Sequence, residues 1–412
     1  MSDNENLKDL LLALLAAAGI LVGGLGAFCI ATLTQWMPIE GMPGQREAQI
    51  WTALAMAAIA LCGIPGLLIA ARGFLDESRP HIQKPSRIWL LFLLFLPLAF
   101  LANYLAYEVE ILPAILGPAT NLLTAAFAVI VSIQLVLLYA PRISRRRFWG
   151  QFLTGLYAIP PSIMMLELAA LIPIVMILTA TLLSNGFSPF SPDFLMDPNF
   201  NPQSYWKQLD METIFQPTSI MLLMVYLGLI VPLIEEFLKT FALWPVIRRI
   251  TNPGEAYLAG ALAGAGYGLF EALMLAQPGP SFLQVGLLRI GATFLHSATA
   301  ALTSWGMFKA LREKKWWIAP LSYGVAVLLH GLWNINAVVM SWLSLEEATE
   351  GLLYTLQQYH LDLLPPLVFL LLSAGTLVSL PWMANRTNRT NRDLKTASGL
   401  VTIRNNDLDS SW

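Results

Sequence analysis

The 412-residue chain is 56% hydrophobic and 12% charged, about half the charged share of an average soluble protein, and its mean hydropathy is +0.62. The net charge of −2 comes with no basic tract carrying interleaved aromatics, which argues against a nucleic-acid partner. Two cysteines, Cys29 and Cys62, are too few for a disulfide or thiolate-metal framework and read as compact packing residues inside apolar runs.

Ten stretches are apolar enough, and close enough to the roughly 20 residues that cross about 30 Å of hydrocarbon, to be read as spans. They cover 10–34, 51–71, 88–106, 119–139, 162–183, 219–247, 256–276, 285–308, 316–340 and 363–383. The first exceeds the apolar core of a signal peptide, about 7–15 residues, and is read as an uncleaved span. The predicted fold is therefore all-α, a polytopic transmembrane helix bundle of ten spans lying in the lipid bilayer.

Orientation follows from the basic residues. Lys8, Arg72, Arg79, Lys84, Arg87, Arg142, Arg145, Arg146, Arg147, Arg248 and Arg249 fall on one side by alternation. So do Lys309, Arg312, Lys314, Lys315, Arg386, Arg389, Arg392, Lys395 and Arg404, while the opposite side carries only Arg46 and Lys207. The positive-inside rule then places both termini in the cytoplasm. The 184–218 loop, rich in Pro, Asn and aromatics, faces outward as a connector at the membrane interface or a lid over a substrate.

Ionisable residues inside spans carry the information, because each costs about 2.5–3.5 kcal/mol at mid-bilayer on insertion scales. Span six holds Glu235, Glu236 and Lys239, span seven Glu271, span eight Arg289 and His296, and span nine His330 and Asn334. Left unpaired, these ionisable groups cost on the order of 20 kcal/mol, more than a domain's whole stability of about 5–15 kcal/mol. They must meet one another or water. Lys239 can pair with Glu235 or Glu236 one turn away. Arg289 and His296 share a face, as do His330 and Asn334. Pro232 predicts a kink and a freed Gly228 carbonyl, and Gly260, Gly264 and Gly268 form a stripe for close helix contact. Glu167 stands by itself in span five and reads as structural.

Taken in order, Glu235-Glu236-Phe-Leu-Lys239, Tyr267-x-x-x-Glu271, Arg289 through His296 to Gly306, and His330-Gly-Leu-Trp-Asn334 resemble the motifs of the PrsW family of intramembrane proteases. That family is related to the type II CAAX prenyl endopeptidases. The resemblance covers about residues 225–340. Tyr267 stands where the family usually has Phe, and Asn334 where it often has Asp.

The resemblance implies endopeptidase hydrolysis of a membrane-tethered protein by glutamate-activated water. Glu235 is the base, Glu236 and Lys239 set its charge and position, and Glu271 and His296 share in activating water. His330 and Asn334 supply oxyanion donors, and Arg289 supports the acids. No cofactor is required by this reading. Zinc remains possible, with His296, His330 and Glu271 as candidate ligands, although no His-Glu-x-x-His is present. The implied substrate is a single-span regulatory protein such as an anti-sigma factor, and the implied location the bacterial cytoplasmic membrane. A proton- or ion-coupled transporter and a non-enzymatic scaffold are the other readings that buried polar spans allow.

The organisation expected is 1–183, a five-span region without an assigned role; 184–218, an extracytoplasmic loop; and 219–340, a four-span catalytic core. An outer loop and final span follow at 341–383, then a disordered basic cytoplasmic tail at 384–412.

Overall fold

The structure, a computed structural model, describes residues 3–36, 45–75, 87–184, 217–275, 282–343 and 363–409. Among them all regular structure is helical. The α-helices are α1 (Asp3–Trp36), α2 (Gln45–Leu61), α3 (Gly63–Leu75), α4 (Phe95–Tyr107), α5 (Pro113–Leu137), α6 (Arg145–Leu153) and α7 (Ile159–Ser184). Then come α8 (Pro217–Val225), α9 (Val231–Lys239), α10 (Pro253–Met274), α11 (Phe282–Glu313), α12 (Ile318–Leu343) and α13 (Leu364–Asp409). The outward loop expected at 184–218 and the outer loop before the last span lie, but for their ends, outside the described residues.

Nine helices among the described residues are long and apolar enough to cross a membrane. The seventh expected span, 256–276, falls on α10, which is not among the nine. At about 1.5 Å per residue, its 22 residues are long enough. Its Gly-rich sequence and Glu271 dilute the hydropathy, and the reason is packing. All of α10 is buried except Glu255, Phe270, Glu271 and Met274, so its surroundings are protein and it needs no lipid-soluble surface.

Two compact units emerge from the packing, the first made of Met1–Pro161, Glu236–Ala326 and Leu372–Trp412, the second of Ser162–Glu235 and Val327–Leu371. In the first, α10 is the centre, packed most extensively on α11 and also on α5 and α6. Its glycine stripe makes this possible: a Cβ on Gly260 would meet the Ala300 carbonyl oxygen, and one on Gly264 the His296 carbonyl oxygen. The opposite face is equally close, since a Cβ on Gly155, in the π-helical turn Thr154–Ala158, would meet the Ala263 carbonyl. Asn121 Nδ2 of α5 donates to the Ala272 carbonyl of α10 at 3.1 Å. Of the two cysteines, Cys62 is half-buried but Cys29 is exposed on α1, so a buried packing role does not hold for Cys29. An apolar residue facing lipid gains little from burial, because hydrocarbon tails are as apolar as leucine.

In the second unit, α8 runs into a π-helical turn, Tyr226–Ile230, and then into α9. The freed acceptor expected at Gly228 is found one residue earlier. In a π register the Leu227 carbonyl pairs with the amide five residues on, and that residue is Pro232, which has no N–H. Asn334 Nδ2 of α12 fills the gap, donating to the Leu227 carbonyl at 2.8 Å. Tyr226 donates its hydroxyl to the Glu167 carbonyl at 3.0 Å, tying α7 to the same turn. Trp333 and Phe369 stack edge to face at 4.6 Å, and Asn336 Nδ2 donates to the Pro365 carbonyl at 2.8 Å.

The last helix does not stop at residue 383. It continues through the basic tail to Asp409, and residues 382–398 contain neither Gly nor Pro to end it.

Candidate active site

In the first unit five of the expected residues form one connected chain of charge. Glu236 and Lys239 come from α9, Glu271 from α10, and Arg289 and His296 from α11. Lys239 Nζ lies 2.8 Å from Glu236 Oε1 and 2.8 Å from His296 Nδ1. His296 Nε2 lies 2.7 Å from Glu271 Oε2, and the same oxygen is 3.6 Å from Arg289 Nη1. Glu236 and Lys239 are fully buried and His296 is 2% exposed. Two carboxylates thus balance two cations around an imidazole, which is how such charges are tolerated away from water.

The bonding fixes the imidazole. An ammonium has three donors and no acceptor, so His296 Nδ1 accepts from Lys239, and Nε2 carries the hydrogen donated to Glu271. Both ring nitrogens are therefore committed to protein partners. Tyr267 completes the surround: Lys239 Nζ stands 4.6 Å above its ring, and the ring meets His296 edge to face at 5.2 Å. Of the two acids Lys239 could have chosen, it takes the one at i−3. The sequence motif contains Tyr267 only as an aromatic; its position one turn before Glu271 on the same helix face was the signal for its role.

In the second unit, Glu235 and His330 are both buried, with Glu235 Oε2 3.9 Å from His330 Nε2. That separation is too long for a hydrogen bond. Two donors bound about 2.0–2.1 Å from one tetrahedral ion lie roughly 3.3 Å apart, so a small adjustment would let both reach a shared cation or water. His330 and Asn334 share a face of α12, as expected, but Asn334 spends one amide hydrogen on the π turn.

Among the described residues, Glu235, Glu236, His296 and His330 are buried groups that offer ligand atoms of the kind zinc takes. They do not fit equally well. His296 has no nitrogen left while Lys239 and Glu271 hold it, and Glu271 is engaged by His296 and Arg289. Glu235 and His330 are the pair whose spacing and chemistry suit an ion.

Residues 203–361 match the family model described as PrsW family intramembrane metalloprotease. The matched segment contains all eight of the site residues named from the sequence. No curated protein and no solved structure matches the chain.

Proposed function

We propose that the protein is a membrane-embedded protease, as the match of residues 203–361 to the PrsW family intramembrane metalloprotease model supports, in which Glu235 and His330 carry the hydrolytic step. The observation that carries this reading is the approach of a buried carboxylate to a buried imidazole: Glu235 Oε2 lies 3.9 Å from His330 Nε2.

Amide hydrolysis needs a base for water, donors for the developing oxyanion and a proton for the leaving nitrogen. A Glu235 carboxylate oxygen takes the proton from the attacking water and returns it to the departing amine. The second amide hydrogen of Asn334 is available to an oxyanion because only one is spent on Leu227. Glu271 accepts the Nε2 hydrogen of His296, and its same oxygen lies 3.6 Å from Arg289 Nη1. Glu235 and His330 are the residues that would hold a zinc ion. Such an ion, when bound, supplies Lewis-acid polarisation of water and carbonyl.

The substrate proposed is a single-span regulatory protein, of which an anti-sigma factor is the type, cut near its outer juxtamembrane segment. The bacterial cytoplasmic membrane is the proposed location, with both termini inside, as the basic residues of the loops favour. The test uses the purified full chain in proteoliposomes with tethered single-span reporters. Glu235→Gln, Glu271→Gln and His330→Ala should each lose cleavage while being expressed and inserted like the wild type. Full cleavage by all three rejects the assignment.

A further inference from the structure

A cavity of about 650 Å³, lined by none of the candidate site residues, lies in the first unit where the start of α1, the α6 N-terminal region and the segment after α9 come together. That is within the roughly 300–1,000 Å³ usual for a ligand pocket. Its lining is divided by chemistry. Five of the lining residues, Lys8, Arg142, Arg146, Arg147 and Arg249, are basic, against a single lining carboxylate, Glu255. Arg147 Nη1 bonds Glu255 Oε2 at 3.0 Å, and Arg146 Nη1 reaches Asp9 Oδ1 at 3.4 Å. Counting Asp9 behind the wall, five cations still face two acids.

The lining is otherwise largely apolar, with Leu7, Leu11 and Leu15 of α1 and Ala242 and Val246 among it. Leu7 and Leu11 are 51% and 57% exposed, so this flank opens outward from the protein. The basic residues of the cavity all belong to segments that the loop charges mark as cytoplasmic. Neither the proteolytic chemistry nor the family match, which begins at residue 203, accounts for Lys8 to Arg147 gathering here.

We propose that this cavity binds one anionic glycerophospholipid of the cytoplasmic leaflet, its headgroup phosphate among Arg142, Arg147 and Arg249 and an acyl chain along Leu7, Leu11 and Leu15. Charge complementarity selects the occupant. Basic pockets between helices on the cytoplasmic side suit anionic headgroups, guanidinium groups match phosphate oxygens in paired donor geometry, and a water-soluble anion would leave the leucine wall without a partner. Gly150 offers an unusual test position. It lines the cavity, and a Cβ there would meet nothing within 4 Å, so a larger side chain fills the space without a clash and favours the helix.

The experiment is native mass spectrometry of the purified full chain with dioleoyl phosphatidylglycerol, the uncharged-overall phosphatidylcholine, inorganic phosphate and a soluble acidic peptide as probes. The wild type should retain one phosphatidylglycerol that phosphatidylcholine does not replace, and should melt higher in its presence. Gly150→Leu should lose that lipid. Arg142→Gln with Arg249→Gln should weaken its binding by roughly 25-fold, about five-fold per charge removed. Arg312→Gln, an exposed basic residue elsewhere, should leave it unchanged. Equal retention of phosphatidylcholine overturns the proposal, as does undiminished binding in both cavity variants. Stabilisation by phosphate or the acidic peptide equal to that by the lipid also overturns it.

Discussion

Glu235 and Glu236 are neighbours in one helix, yet their surroundings differ in kind. Glu236 faces an ammonium at 2.8 Å that is itself bonded to an imidazole, and that imidazole to Glu271. Glu235 faces His330 across 3.9 Å. Glu236 is tied to a buried ammonium, whereas Glu235 is set opposite a buried imidazole, the pairing we propose to act on water.

The comparison can be broken most sharply at Glu235. Glu235→Gln keeps the shape and removes the proposed base, so cleavage should fall by about 10²–10⁴-fold at an equal level of inserted protein; Glu236→Gln takes the buried carboxylate from Lys239 and should lower the unfolding midpoint. A chelator should abolish wild-type cleavage and added zinc restore it, while His330→Ala should stay inactive at the same zinc concentration. Persistence of full activity in chelator would remove the ion from the account and leave Glu235 as base.

Lys239→Met tests the closed set. Removing the cation leaves Glu236 buried without its ammonium, which should cost about 3–5 kcal/mol, read as a lower unfolding midpoint in detergent. Adding Glu236→Gln to Lys239→Met should recover much of the loss, because the stranded charge goes with it. Asn334→Leu uncovers the Leu227 carbonyl and should cost about 1–3 kcal/mol, with cleavage impaired as well if the second amide hydrogen serves the oxyanion. The smallest effect belongs to Tyr267→Leu, which removes a ring beneath an ammonium and should cost about 0.5–2 kcal/mol.

Much of this was legible from the residues. The price of burying charge in a span singled out Glu235, Glu236, Lys239, Glu271, Arg289, His296 and His330, and the glycine stripe of α10 announced the close approach of α11. Helical spacing also paired Arg289 with His296, which reach the same Glu271 oxygen. What spacing cannot supply is the partner on another helix. Lys239 bonding His296, 57 positions away, depends on how α9 meets α11. The Asn334 contact needed the π turn to be known, because only that register makes Pro232 orphan Leu227 rather than Gly228. Residues 256–276 read as a span in the sequence, yet α10 is not among the nine described helices long and apolar enough to cross a membrane, because a helix surrounded by protein is free to be rich in glycine.

The central claim, that Glu235 rather than Glu236 is the reacting acid, is tested most directly by N-terminal labelling of membrane proteins from cells producing the wild type or Glu235→Gln at equal levels. The account predicts new N-termini beside single membrane spans in wild-type cells and none of them with Glu235→Gln. The same termini at the same abundance in both would contradict it.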